Sequence, residues 1–195
     1  MKNTGNNAFS IIKQTLKKTT PVMRIITLLT LPILLAVSGS KDKATIEPVM
    51  NEPENLIGQH FLDVREPDTQ GKLHSLSDYA GKGKWVLVDF WASWCGPCHW
   101  EMPNVVAAYK KYHKKGFEIV GFSFDYDKED WEEAIEEWDM PWVHLSDLKF
   151  WQSEAGRIYD IHAIPDNILI DPKGFIVARD LRGPDLEEFL SKIFE

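Results

Sequence analysis

Cys95 and Cys98 are the only two cysteines in the chain, and they stand in Cys95-Gly96-Pro97-Cys98-His99. Three chemistries are open to that spacing. Followed by histidine, the pair is the pattern for covalent haem attachment. With two more ligands it is half of a zinc site. With nothing further it is a dithiol that cycles to a disulfide. A closed zinc site takes four ligands, yet no second C-x-x-C exists and His60, His74, His113, His144 and His162 show no ligand spacing. No metal is expected. A haem would want a distal methionine or histidine; Met102 is too near the motif, which leaves Met140 or a histidine.

The segments around the pair favour the dithiol. "WVLVDFWA", Trp85 to Ala92, is a near-continuous apolar run rich in valine and aromatics, the pattern of a buried central strand. After the motif, Met102, Val105, Val106, Tyr109 and Tyr112 recur at helical spacing, and the helix closes on Lys110, Lys111, Lys114 and Lys115 with Gly116 as its stop. Cys95 therefore falls where a strand ends and a helix begins. A thiol there meets unpaired N–H groups and the positive end of the helix dipole. Its pKa is expected to fall from about 8.5 toward about 7. Pro97 fits the first helical turn. A nucleophilic, exposed Cys95 and a shielded, resolving Cys98 follow. Asp89 lies inside the apolar strand, where a carboxyl group should have a raised pKa. Glu101 follows Cys98 by one helical turn, a position favourable for the dipole alone. His99 is expected to point outward.

The other segments complete an α/β pattern. Phe61 to Leu76 reads as a hairpin around Asp68-Thr69-Gln70-Gly71. "FEIVGFSF" is a second strand. Asp127 caps a helix with Trp131, Ala134, Ile135 and Trp138 on one face, ended by Pro141. Trp142 to Leu145 reads as a short strand. "NILI", the turn Asp171-Pro172-Lys173-Gly174 and "FIVA" make a hairpin. Pro184 opens a last helix with Leu186, Phe189, Leu190 and Ile193 facing inward. Strands and helices alternate first, and an antiparallel hairpin covered by a helix follows, so the sheet is mixed. The tryptophans read mostly as core, with Trp91 and Trp100 near enough to the thiols to serve a docking surface.

The chain ahead of this pattern has a different character. Residues 1–24 carry Lys2, Lys13, Lys17, Lys18 and Arg24 and no acid; the apolar run Ile25 to Val37 and small residues follow. That order marks an export signal, residues 1–38, with a signal-anchor as the alternative. Ser40 stands where a lipoprotein signal would have its cysteine. Residues 39–55 read as a polar tether and 56–195 as the globular domain. Loss of the five N-terminal cations reduces the 22 basic residues to 17 against 30 acidic ones. Nucleic acid is thereby excluded as a partner, and the membrane is met only through the N-terminal segment if it is uncleaved. Export to the periplasm or cell envelope places the cysteines where disulfides form.

"LVDFWASWCGPCHWEMP" resembles the active-site segment of the thioredoxin superfamily, and more narrowly of exported TlpA/ResA-like thiol–disulfide oxidoreductases. The resemblance extends from the Gly58 to Phe61 start, through "SLSDYAGKGKWVLVDFWASWCGPC", to "YDIHAIPDNILIDPKG". It implies a three-layer thioredoxin-like fold with an N-terminal hairpin and an extra inserted helix and strand around Trp131. It implies roles as well. Cys95 attacks and Cys98 resolves the mixed disulfide. Asp89 relays the proton of Cys98, and Glu101 tunes the thiols. Trp94, Gly96, Pro97, Ile164 and a cis Pro165 line the substrate side, with the Ile164 backbone pairing to a substrate strand. Asp166 replaces the short polar residue usual after that proline; a carboxylate there would raise the thiol pKa or select basic substrates. The cofactor is the redox disulfide itself and no other. Implied partners are disulfide-bearing exported proteins, apocytochrome c among them, and a membrane dithiol donor. A thiol oxidase or isomerase on the same fold is the alternative, with a haem carrier behind it. A peroxidase of the Pro-x-x-x-Thr/Ser-x-x-Cys type is disfavoured, because Val88 and Ala92 occupy those positions.

Overall fold

Residues 56–195 are described by the computed structural model; the expected export signal and tether lie outside the described residues. The chain runs β1 (Arg65–Pro67), β2 (Leu73–Ser75), β3 (Trp85–Trp91), α1 (Gly96–Tyr112), β4 (Phe117–Ser123), α2 (Lys128–Glu137), β5 (Val143–Leu145), α3 (Glu154–Ile158), β6 (Asp166–Ile170), β7 (Ile176–Arg179) and α4 (Pro184–Phe194). β1 and β2 form the expected hairpin, a separate two-stranded sheet. The main sheet has the order β5-β4-β3-β6-β7, with β3, β4 and β5 parallel and β6 and β7 antiparallel. This is the mixed sheet of a thioredoxin-like fold.

β3 is central, and all but its first residue are buried. Its two faces meet different layers. Trp91, on the Asp89 face, meets Trp138 at the C-cap of α2, and His99 of α1 stacks on that same indole. Phe90, on the other face, meets Phe124 and Tyr159, the C-cap of α3. Right-handed crossovers put α1 and α2 on one side of the sheet, and α4 packs beside α1. The β1–β2 hairpin is fastened to α3: Ala155 N–H donates to Glu66 Oε1 at 3.1 Å, and the Tyr159 hydroxyl to Leu62 O at 2.5 Å. Glu66 is buried, and that burial, with Asp147 nearby, pushes its pKa up to about 7.

Local signals hold at the element ends. Asp127 caps α2 by accepting from the N–H groups of Glu129 and Asp130. α1 gives way at Tyr112 to a single 3-10 turn and stops at Gly116, whose φ of 104° suits only glycine. α3 went unread in the sequence. It is one short turn capped by Ser153, whose Oγ accepts from Gly156 N–H, and five residues carry too little periodicity to announce themselves. Gly121 of β4 has a packing reason: a Cβ there would lie 2.6 Å from His144 Nδ1 and 3.0 Å from Trp91 Nε1. His144 is buried, and burial drives its pKa down to about 3, so the imidazole is neutral.

Candidate active site

β3 delivers the chain to the top of the sheet, where a tight turn leads into α1. Cys95 N–H closes that turn on Ala92 O at 3.1 Å. Cys95 is the N-cap of α1, and its Sγ accepts from Cys98 N–H at 3.2 Å, so the sulfur does what a capping oxygen ordinarily does. The two sulfurs are joined in a disulfide, with Cα atoms 5.2 Å apart. Gly96 and Pro97 form the exposed first turn. Pro103, inside α1, removes a further backbone donor.

The expected order of shielding holds, since Cys98 is 1% exposed and Cys95 4%. The expectation of an exposed Cys95 does not. As N-cap its side chain turns back over the first helical turn onto Cys98, and each sulfur covers the other. Trp94 is 41% exposed; its indole N–H reaches Phe124 O at 3.3 Å, and its ring packs on Phe150 and Trp151. Those three aromatics wall one side of the site. Trp100 is 77% exposed and free to meet a partner, whereas Trp91 is fully buried and is not part of a docking surface. Trp151 is partly exposed rather than core. His99 is exposed, as expected, with one face against Trp138.

The Ile164–Pro165 peptide is cis. β6 is antiparallel to β3, and Phe90 pairs with Asp166, so Pro165 lies at the end of the sheet from which the chain turns to Cys95. No hydrogen bond among the described residues engages the Ile164 backbone. Pro165 O accepts from the Arg182 guanidinium. Asp166 does not face the thiols as a free charge. Its carboxylate takes both Nε and Nη2 of Arg179, the latter at 2.6 Å. Strand pairing decides this, because β7 sets Arg179 across from Ile168, within reach of Asp166. Paired with Arg179, Asp166 is not the free carboxylate expected to raise the thiol pKa or select basic substrates.

Asp89 is 3% exposed, and its Oδ2 has no hydrogen-bond partner. Burial first, then the charges of Glu101 and Asp166, push its pKa up to about 7, with Arg182 opposing. The strand acid is thus poised to exchange a proton near neutrality. Glu101 has two attachments: Oε1 accepts from Gly183 N–H at 2.7 Å, at the N-cap of α4, and Oε2 from Asn104 at 3.1 Å. It ties α1 to α4 and acts on Asp89 by charge. Glu101→Gln keeps an acceptor for Gly183 but removes the charge. It is expected to lower the Asp89 pKa and to cost about 1 kcal/mol of stability from the weakened bond. The Asp89 carboxyl carbon followed by NMR against pH, with urea unfolding, checks both; an unmoved Asp89 titration refutes the charge coupling.

Sequence reasoning missed Asp125. It is buried at the end of β4 and takes hydrogen bonds from both the backbone and hydroxyl of Ser93. No periodicity marks such a residue. Val88 and Ala92, the positions of the peroxidase pattern, are buried apolar side chains without a hydroxyl. Among the described residues, no three His, Cys, Asp or Glu side chains are grouped to hold a metal ion.

Residues 57–179 match the AhpC/TSA family. The chain is 30% identical over 166 residues to the thiol-disulfide oxidoreductase ResA of Bacillus cereus, covering 83% of this chain and 92% of that one. It is 33% identical over 140 residues to ResA of Geobacillus kaustophilus, covering 70% and 78%. The thioredoxin domain of a thiol-disulfide oxidoreductase from Bacteroides vulgatus superposes with a TM-score of 0.65 at 38% identity, covering 71% of this chain and 98% of that one.

Proposed function

The chain belongs to the AhpC/TSA family and is a thioredoxin-like thiol–disulfide oxidoreductase similar to ResA, and from that premise we propose that it works as a reductase of disulfides in exported proteins of the cell envelope. One observation carries the reading: a Cys95–Cys98 disulfide at a helix N-cap, at the same sheet end as the unpaired backbone of Ile164. A substrate strand laid against Ile164 would bring its disulfide over Cys95.

The steps are two exchanges. In the reduced protein the Cys95 thiolate attacks one substrate sulfur, forming Cys95–S–S–R and expelling the other substrate sulfur as thiolate. Cys98 then gives up its proton, with Asp89 as acceptor, and attacks Cys95. The Cys95–Cys98 bond forms and the second substrate sulfur leaves as thiolate. The substrate gains two electrons and, after protonation, two protons; the protein loses the same. Two features around Cys95 favour the thiolate: the Cys98 N–H, which donates to Cys95 Sγ at 3.2 Å, and the positive end of a 17-residue helix. Trp94, Gly96, Pro97, Ile164 and Pro165 form the substrate side, and Glu101 tunes the site through Asp89.

The reducing direction rests on the Gly96-Pro97 spacer, shared with thioredoxins near about −270 mV. In an oxidising compartment the oxidised protein needs a dithiol donor at the membrane. Apocytochrome c, whose C-x-x-C-H thiols must be reduced to take haem, is the substrate suggested by the resemblance. The test is a redox titration followed by tryptophan fluorescence, with Cys95→Ser as control and one absorbance scan for haem. A midpoint below about −230 mV is expected, with insulin reduction abolished by Cys95→Ser. A midpoint near about −120 to −180 mV makes the protein an oxidase or isomerase instead. A haem band without a titrating couple defeats the dithiol reading.

A further inference from the structure

Asp125 is a second buried carboxylate at the active site, and the exchange steps above do not use it. It is 1% exposed. Ser93 N–H lies 3.1 Å from both of its oxygens, Ser93 Oγ 2.6 Å from Oδ1, and Ser123 Oγ 2.6 Å from Oδ2. Ser123 Oγ is itself the acceptor of Asp125 N–H at 2.9 Å, which leaves its hydroxyl proton for the carboxylate. Every partner donates, and an acceptor-only group surrounded by donors is an ionised one. Burial pushes its pKa upward, and the bonds from Ser123 and Ser93 oppose that.

The placement of this charge is specific. Ser93 is two residues before Cys95, so their Cα atoms are within about 7.6 Å at full extension, and the closure of Cys95 N–H on Ala92 O makes the turn tighter still. The whole turn is fastened to the end of β4. Phe124 N–H donates to Trp91 O at 2.8 Å and the Trp94 indole to Phe124 O, with the Asp125 bonds to Ser93 between them. The other ionisable groups about the couple are Asp89 of β3, His99 and Glu101 of α1, Asp130, Glu133 and Glu137 of α2, Asp166 of β6, and Arg182 ahead of α4. None of these bonds the turn that carries the nucleophile.

We infer that Asp125 is a positioning residue that sets the reduction potential of the Cys95–Cys98 couple, by holding the turn before Cys95 and keeping a buried negative charge behind it. A like charge close by disfavours the thiolate. The helix N-terminus stabilises the reduced form through that thiolate; Asp125 limits the stabilisation, and a less stabilised reduced form is the better reductant. The inference rests on Cys95 being the attacking thiol.

Asp125→Asn separates charge from shape. Asparagine Oδ1 still accepts from Ser93, and its amide can donate to Ser123 Oγ. In this variant the thiolate ultraviolet absorbance is expected to titrate at lower pH, with roughly three- to ten-fold more thiolate at neutral pH, and the midpoint should move in the oxidising direction. Ser93→Ala cuts one tether and leaves the residue-93 N–H and the Ser123 hydroxyl donating to the carboxylate. It should leave the thiol titration in place and slow insulin reduction. If both variants lose rate alike, with titration and midpoint unmoved, the role is only structural and the inference is wrong. Should Asp125→Asn not fold, the Asp125 carboxyl carbon of the reduced wild type is followed by NMR. An inflection at the pH of thiol ionisation supports the coupling; a flat response there refutes it. Turnover retained in Cys95→Ser would overturn the nucleophile assignment itself, separately from either result.

Discussion

With alanine in place of Cys98, the protein is expected to stop after its first exchange and hold its substrate covalently. Cys95 keeps its N-cap position and the backbone N–H of position 98 that donates to its sulfur, so attack on a substrate disulfide still proceeds. Resolution does not, because the second sulfur is gone. In the wild type that sulfur sits against Cys95, one turn into the helix, with Cα atoms 5.2 Å apart. An intramolecular attack in such geometry has an effective molarity of roughly 10⁵ M or more. Solution thiols at millimolar concentration cannot match it. Turnover should fall on the order of 10³-fold or further, while a mixed disulfide accumulates to one substrate per protein. A non-reducing gel against excess substrate shows the adduct, and dithiothreitol releases it. Cys95→Ser should form none. An adduct formed by Cys95→Ser instead would reverse the roles of the two cysteines.

Asp89→Asn is expected to make the protein more stable and less active at the same time. The carboxyl group is buried among apolar side chains and its pKa stands at about 7, against about 3.9 in an unfolded chain. Folding therefore binds a proton between those values. That contribution is fully present below pH 4 and is lost as pH rises through 7. At pH 8 the wild type bears an uncompensated buried charge, and asparagine does not. The variant should be more stable there by roughly 2–4 kcal/mol, with the gap closing toward pH 4. Urea unfolding at pH 5 and pH 8 measures this. Activity should go the other way. Without a proton acceptor for Cys98 the resolving step slows, by roughly 10²-fold if the acid–base contribution is typical, and the inflection near pH 7 in the turnover profile disappears. Full activity with an unchanged profile would remove Asp89 from the mechanism.

Both expectations concern groups that the sequence alone marks. The C-x-x-C pair, the apolar strand leading to it and the amphipathic helix leaving it are local patterns. Period-2 and period-3.6 spacing are set by backbone geometry within a few residues, so β3, α1, β4, α2 and α4 were legible, as was the helix N-terminus under Cys95. Turn chemistry placed the β6–β7 hairpin for the same reason. Asp89 stood out because a carboxylate inside an apolar run has nowhere to go but the core.

What the sequence alone could not decide is how residues far apart in the chain meet. Asp125 bonds Ser93 across a separation of 32 residues, and only the parallel pairing of β3 with β4, Trp91 opposite Ser123, brings them together. Asp166 looked like a free carboxylate beside the cis proline until the antiparallel pairing of β6 and β7 gave it Arg179. Trp91 and Trp100 are both aromatics near the thiols, yet one points into the sheet–helix layer and the other to solvent. Composition determined the chemistry on offer, and local spacing determined the elements that carry it. Strand order and register, which depend on long-range burial and backbone pairing, decided which charges those thiols feel.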